Sequence, residues 1–100
     1  MTLQAEFPDG FPPEEIPYLP IIREGTMAAT AIQSAIPWLR RAGVPDAPRD
    51  SRLLMAEAFD VQAGALPSRI RDPLPGQVAR KFDSFIKRRL RREPVSHILG

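Results

Sequence analysis

Proline most limits what this chain can become. Twelve of its 100 residues are proline, and each removes a backbone donor and fixes φ near about −65°, so regular structure cannot run unbroken past closely spaced ones. Five of the twelve fall within residues 1–26, MTLQAEFPDGFPPEEIPYLPIIREGT, at intervals too short for a helix to propagate. The others, Pro37, Pro45, Pro48, Pro67, Pro73, Pro75 and Pro94, cut the remainder into pieces of helix length with turns between them.

Residues 1–26 carry a net charge of −4 and read as a proline-rich N-terminal extension. Their apolar residues, among them Phe7, Phe11, Tyr18 and Ile22, are more than a solvating linker needs. The segment is therefore an arm docked on the fold or on a partner, a disordered arm, or an element of its own. Met27 is also a candidate starting residue in relatives.

From residue 27 onward the period is helical. Within residues 26–42, Ile32, Ala35, Ile36 and Leu39 recur at the spacing of one helix face. Pro37 lies inside this segment, which predicts a kink near residues 33–37 or a split in two; Arg40 and Arg41 suit its last turn, and Gly43 its end. A second helix of about three turns is expected after Asp46 as cap and Pro48 in the first turn, with Leu53, Leu54, Ala56, Ala58 and Phe59 facing inward. QAGALPSRI then gives one or two turns that end at Pro67, before the loop RDPLPG.

The clearest helix spans residues 75–92. At 100° per residue, Val78, Phe82, Phe85, Ile86 and Leu90 share an arc of about 140°, while Arg80, Lys81, Lys87, Arg88 and Arg91 gather opposite. Arg89 projects near the middle of the apolar arc. It must snorkel, pair with an acid, or meet something outside the chain, and Asp50, Glu57 and Asp60 are its in-chain candidates. Pro94 ends this helix because the residue before proline resists helical angles, and VSHIL after it reads as an extended segment. With no alternating strand pattern before residue 94, the fold class is all-α: a small bundle of four to five helices over residues 27–93, a proline-rich arm before it and a short extended segment after.

The chemistry-bearing residues are sparse. There is no cysteine and one histidine, His97, so disulfides, thiolates and cysteine metal sites are excluded, and no metal is expected. A reducing cytoplasmic setting fits. The acidic, proline-broken start does not resemble a secretory signal, and no apolar run approaches the roughly 18–20 residues of a membrane span. Ser96 beside His97 would point to opposite faces of an extended strand, so the two are not a hydrolytic pair, and His97 reads as a packed or interface residue.

Charge is unevenly divided: residues 1–50 sum to −3 and residues 51–100 to +5. The basic face of the last long helix, with Arg80, Lys87, Arg91 and Arg88, is the candidate partner-binding surface. A protein partner, nucleic acid and plain solvation all fit such a face. Helix-turn-helix spacing, zinc ligands and stacking aromatics are missing, which makes a stand-alone nucleic-acid-binding module the alternative rather than the leading reading.

The run DSRLLMAEAF, the DPL loop and the ending RRLRREPVSHILG together resemble the N-terminal domain of the release-factor glutamine methyltransferases, the HemK/PrmC family. Arg89, Glu93, Pro94, Val95, His97, Ile98, Leu99 and Gly100 stand where that family carries its junction motif, and the likeness covers about residues 27–100. The resemblance implies a noncatalytic helical domain ahead of a Rossmann-like catalytic domain that uses S-adenosylmethionine. The implied reaction methylates the glutamine of the Gly-Gly-Gln motif in peptide-chain release factors. It further implies that the helical domain helps to hold the release factor, that residues 94–100 begin a linker to the catalytic domain, and that the cofactor loop and Asn-Pro-Pro-Tyr motif lie beyond them. No catalytic, cofactor or metal ligand is expected within these 100 residues.

Overall fold

The first turn of the second helix shows how locally the chain is directed. Asp46 sits just before it and its carboxylate accepts the Arg49 N–H at 3.3 Å, while Pro48 occupies the first turn, where a missing donor does no harm. A computed structural model of the chain describes residues 22–100. The expectations for the arm over residues 1–21 lie outside the described residues.

Four α-helices and one 3-10 helix follow in order: α1 (Ala28–Arg41), α2 (Ala47–Phe59), the 3-10 helix (Ala63–Arg69), α3 (Gly76–Leu90) and α4 (Val95–Leu99). There is no named strand among the described residues, so the all-α bundle expected from the sequence is the fold. Helices α1, α2 and α3 pack on one another around Ile32, Leu39, Leu54, Met55, Phe82 and Ile86, each at most 3% exposed. The apolar periods assigned to α1 and α3 point where they should: Ala35 and Ile36 are buried with Ile32 and Leu39, and Val78 and Leu90 with Phe82 and Ile86.

Helix ends follow from backbone chemistry. Gly43, at φ 87°, turns the chain out of α1 while the Val44 N–H reaches back to the Leu39 carbonyl. Asp60 does the same after α2 at φ 63°, with its N–H and that of Val61 returning to Ala56; a short polar side chain tolerates this left-handed conformation.

Three expectations need correction. Pro37 does not split α1, which runs continuously over 14 residues. Pro37 and Gln33 both face solvent, so the Gln33 carbonyl that loses its donor is open to water. Pro67 does not end the short helix after α2 but lies within it, between a turn closed by Ala65 N–H to Gln62 and one closed by Ile70 N–H to Pro67. And residues 95–99 are not extended. They form α4, with the His97 and Ile98 N–H groups bonded to the Pro94 carbonyl. The same proline that stops α3 is well suited to precede a helix, because only the residue before it is denied helical angles.

Residues 22–27, at the end of the expected extension, run antiparallel to residues 70–74. Gly25 N–H bonds Leu74 O and Leu74 N–H bonds Thr26 O, both at 2.8 Å, and Met27 pairs with Pro73. Ile22 packs on the core. This short pairing holds the DPL loop against the start of α1 and so sets the origin of α3.

Candidate functional site

The end of α3 is where most of the singled-out residues meet. Arg89, predicted to intrude on the apolar arc, turns toward α2: its Nε donates to Asp50 Oδ2 at 2.9 Å and its Nη1 to the Glu93 carbonyl at 3.3 Å. Both side chains are largely buried, 15% exposed for Arg89 and 7% for Asp50. Of the three acids considered from sequence, Asp50 is therefore the partner.

One residue earlier, Arg88 grips Glu93 with two parallel hydrogen bonds, Nε to Oε1 at 2.9 Å and Nη2 to Oε2. These bonds hold the Glu93 carboxyl below the usual carboxylate range against the opposing effect of burial, with the charges of Arg88 and His97 adding to the shift. Arg92 stands at φ 73° and donates from Nη1 to the Ala42 carbonyl at 3.0 Å. Three arginines within five residues are thus fastened in three directions: Arg88 to Glu93, Arg89 to α2 and Arg92 to the end of α1. Arg92 was not singled out from sequence, and a non-glycine residue at positive φ leaves no sequence signal.

Beyond this knot, Ile98 is buried and Leu99 packs on the core, while Pro94, Ser96, His97 and Gly100 are exposed. Exposure corrects the packed reading of His97, and Ser96 and His97 sit about 100° apart on a helix rather than on opposite faces of a strand. Residues 88–99 form an elbow in which α4 packs against α2 and α3.

The basic face of α3 is less free than its composition implies. Lys87 Nζ lies 3.0 Å from Asp83, one turn back, and Arg88 is committed to Glu93. Arg80 and Arg91 are exposed and have no ion pair among the described residues. Of the four candidates, Arg80 and Arg91 therefore stand without an ion pair at opposite ends of the helix, with the Glu24 carboxylate near Arg80 over Gly76.

Sequence reasoning missed the concave surface, which lies along α2. One cleft of about 460 Å3 opens between Asp46, Arg49, Arg89, Arg92 and Ser96. A second, of about 400 Å3, is walled by Arg49, Arg52, Leu53, Leu66, Pro67 and Ile70. A third, also about 400 Å3, includes Leu53, Glu57, Asp60, Val61 and Leu99. Their walls combine α2 with other elements, the 3-10 helix on one side and the α3 end and α4 on another, so no single helical period announces them.

No glycine lines any of these clefts. Gly25, Gly43, Gly64, Gly76 and Gly100 are each isolated in the chain, and no run of them builds a loop whose backbone could approach a ligand closely. Groups of three or more potential metal ligands are absent among the described residues, and no described helix is long and apolar enough to cross a membrane.

A family model described as the PrmC N-terminal domain matches residues 30–100. The chain belongs to that family. The matched segment takes in α1 almost whole, the three clefts and the entire Arg88–Gly100 elbow, so this PrmC N-terminal domain is the folded body just described. It is 38% identical over 73 residues to a release factor glutamine methyltransferase of Cereibacter sphaeroides, covering 73% of this chain and 26% of that protein. To a release factor glutamine methyltransferase of Corynebacterium glutamicum it is 37% identical over 70 residues, covering 70% of this chain and 24% of that protein. The chain thus spans about a quarter of the length of these curated relatives. No solved structure matches it.

Proposed function

We propose that this PrmC N-terminal domain is the noncatalytic substrate-recognition part of an S-adenosylmethionine-dependent glutamine methyltransferase, holding a peptide-chain release factor while a separate catalytic domain methylates the glutamine of its Gly-Gly-Gln motif. The observation that carries the reading is the family match over residues 30–100, together with relatives named for that reaction. The described surface is consistent with a gripping role. It offers exposed cations and clefts, and it offers no nucleophile with an adjacent base.

Gripping is a form of catalysis at a distance. Binding energy from contacts remote from the reacting atoms can be used to orient the amide, and orientation alone is worth several powers of ten in rate. That benefit reaches the reacting group only through a rigid connection. The Arg88, Arg89 and Arg92 contacts supply one, because they fix the direction in which the chain leaves the bundle. A loose tether would hold the substrate near the catalytic domain without aligning it. The cofactor belongs in this reading to the catalytic domain.

The test is a chimera in which residues 30–100 replace the matched quarter of the Cereibacter sphaeroides enzyme. Methyl transfer to a release factor should persist, and deleting the segment should lower kcat/KM for the release factor. Methyl transfer by the 100-residue chain alone, or a deletion that leaves kcat/KM unchanged, overturns the proposal.

A further inference from the structure

We infer that the release factor is held in the furrow between α2 and the 3-10 helix, rather than on the basic stripe of α3, and that the segment it inserts places an acidic group, an apolar side chain and a basic group in that order along α2. The inference rests on the proposed recognition role and assigns its surface and chemistry. It starts from the fact that two of the four α3 candidates are already neutralised, Lys87 by Asp83 and Arg88 by Glu93. A cation with an acid at hand gives up that contact when a partner arrives, which weakens its net contribution.

The face of α2 is built differently. Arg49, Leu53 and Glu57 stand at i, i+4 and i+8 and so form one stripe, about 12 Å long at 1.5 Å per residue. Leu53 is half-buried and belongs to the clefts on both sides of it. On one side its neighbours are Leu66, Pro67 and Ile70, an apolar wall rimmed by Arg49 and Arg52. Arg52 is exposed and has no ion pair among the described residues. Arg49 is 63% exposed and only 3.8 Å from Asp50, an acid whose closer partner is Arg89. On the other side of Leu53 the charges are Glu57 and Asp60, with no cation among the lining residues.

This distribution runs against the helix itself. The N-terminal end of a helix favours anions and its C-terminal end cations, yet α2 has Arg49 and Arg52 toward its start, Glu57 and Asp60 at its end, and no basic residue in its last turn. The acids that do suit the start, Asp46 and Asp50, are engaged as the cap and as the partner of Arg89. Folding alone does not call for the exposed charges in this order. A partner segment of the opposite polarity does, with a carboxylate over Arg49 and Arg52, an apolar side chain against Leu53 and Leu66, and a cation over Glu57 and Asp60. At about 400 Å3 the furrow lies within the size range of sites that bury a ligand.

The experiment is a titration of the isotopically labelled 100-residue chain with a peptide-chain release factor, followed by amide chemical shifts. Resonances of Leu53, Ala63, Leu66 and Ile70 should move most. The double charge reversal R49E/R52E should weaken binding tenfold or more with an unchanged far-ultraviolet spectrum, while R80A/R91A changes it less than threefold. Movement confined to Gly76–Leu90, or wild-type affinity for a folded R49E/R52E, overturns the furrow and leaves the recognition role standing. Absence of any binding overturns both. A variant that reverses the far end, E57K/D60K, guards against misfolding of the first: it too should weaken binding tenfold, and unchanged affinity counts against the proposed polarity.

Discussion

At the scale of single residues, the Arg89–Asp50 pair is the contact on which the elbow turns. It is shielded from water and made at hydrogen-bond distance, and removing one member leaves the other charged and unpaired. Replacement of Asp50 by Ala should therefore lower unfolding free energy by about 3 kcal/mol, the lower part of the range for broken buried pairs. The double variant D50L/R89M should recover most of that loss in a denaturant titration, since two apolar groups carry no desolvation penalty. Glu93 makes a different prediction because its carboxyl titrates below the usual range. A depressed native pKa means stability that is present in full above the unfolded value, about 4.3, and is lost as the pH falls through the lower folded one. Amide protection factors in α4, which are exchange rates corrected for the intrinsic effect of pH, should fall over that acidic interval, and E93Q should remove this dependence while leaving α4 less protected at neutral pH. An α4 whose protection factors are indifferent to pH in both proteins contradicts the Arg88–Glu93 clasp as its anchor.

At the scale of elements, α1 carries a proline in its interior at no evident cost to continuity. Pro37 is exposed, so P37A should add the missing bond to Gln33 without disturbing the core and raise stability by about 1 kcal/mol or more, readable as a higher midpoint in urea. In α3, Phe82 is fully buried, and F82A should cost about 3–5 kcal/mol. These helices were legible because their apolar residues repeat at the helical period over three or more turns. Helix α4 was not legible. Five residues are too few for a period to declare itself, and the β-branched Val95 after Pro94 has the composition of a strand. What decides it is tertiary: Ile98 is buried and Leu99 lies against the core, and a single turn of helix delivers both inward. The 3-10 helix was visible only as a short turn for the same reason, and Pro67 misled because a 3-10 helix is a chain of separate turns that tolerates an interrupted donor.

At the scale of the whole molecule, the sequence carried the bundle and a basic surface, but not the surface's true state of charge. Asp83 and Glu93 are four and five residues from the cations they neutralise, Lys87 and Arg88, so the first could have been read from helix spacing. The furrow along α2 could not, because its opposite wall, Leu66 to Ile70, arrives through the packing of a separate element. Taken together, the molecule is a helical bundle whose Arg89 and Arg92 are fastened to α2 and to the end of α1, with a polar-ended apolar furrow along α2. The proposed division of labour places gripping here and bond-making elsewhere. The most direct test is calorimetric titration of the 100-residue chain with a peptide-chain release factor at two salt concentrations. The account predicts saturable one-to-one binding, weaker at high salt and abolished or cut at least tenfold by R49E/R52E. No binding at either salt concentration, alongside tight and steeply salt-dependent binding to RNA, would contradict it.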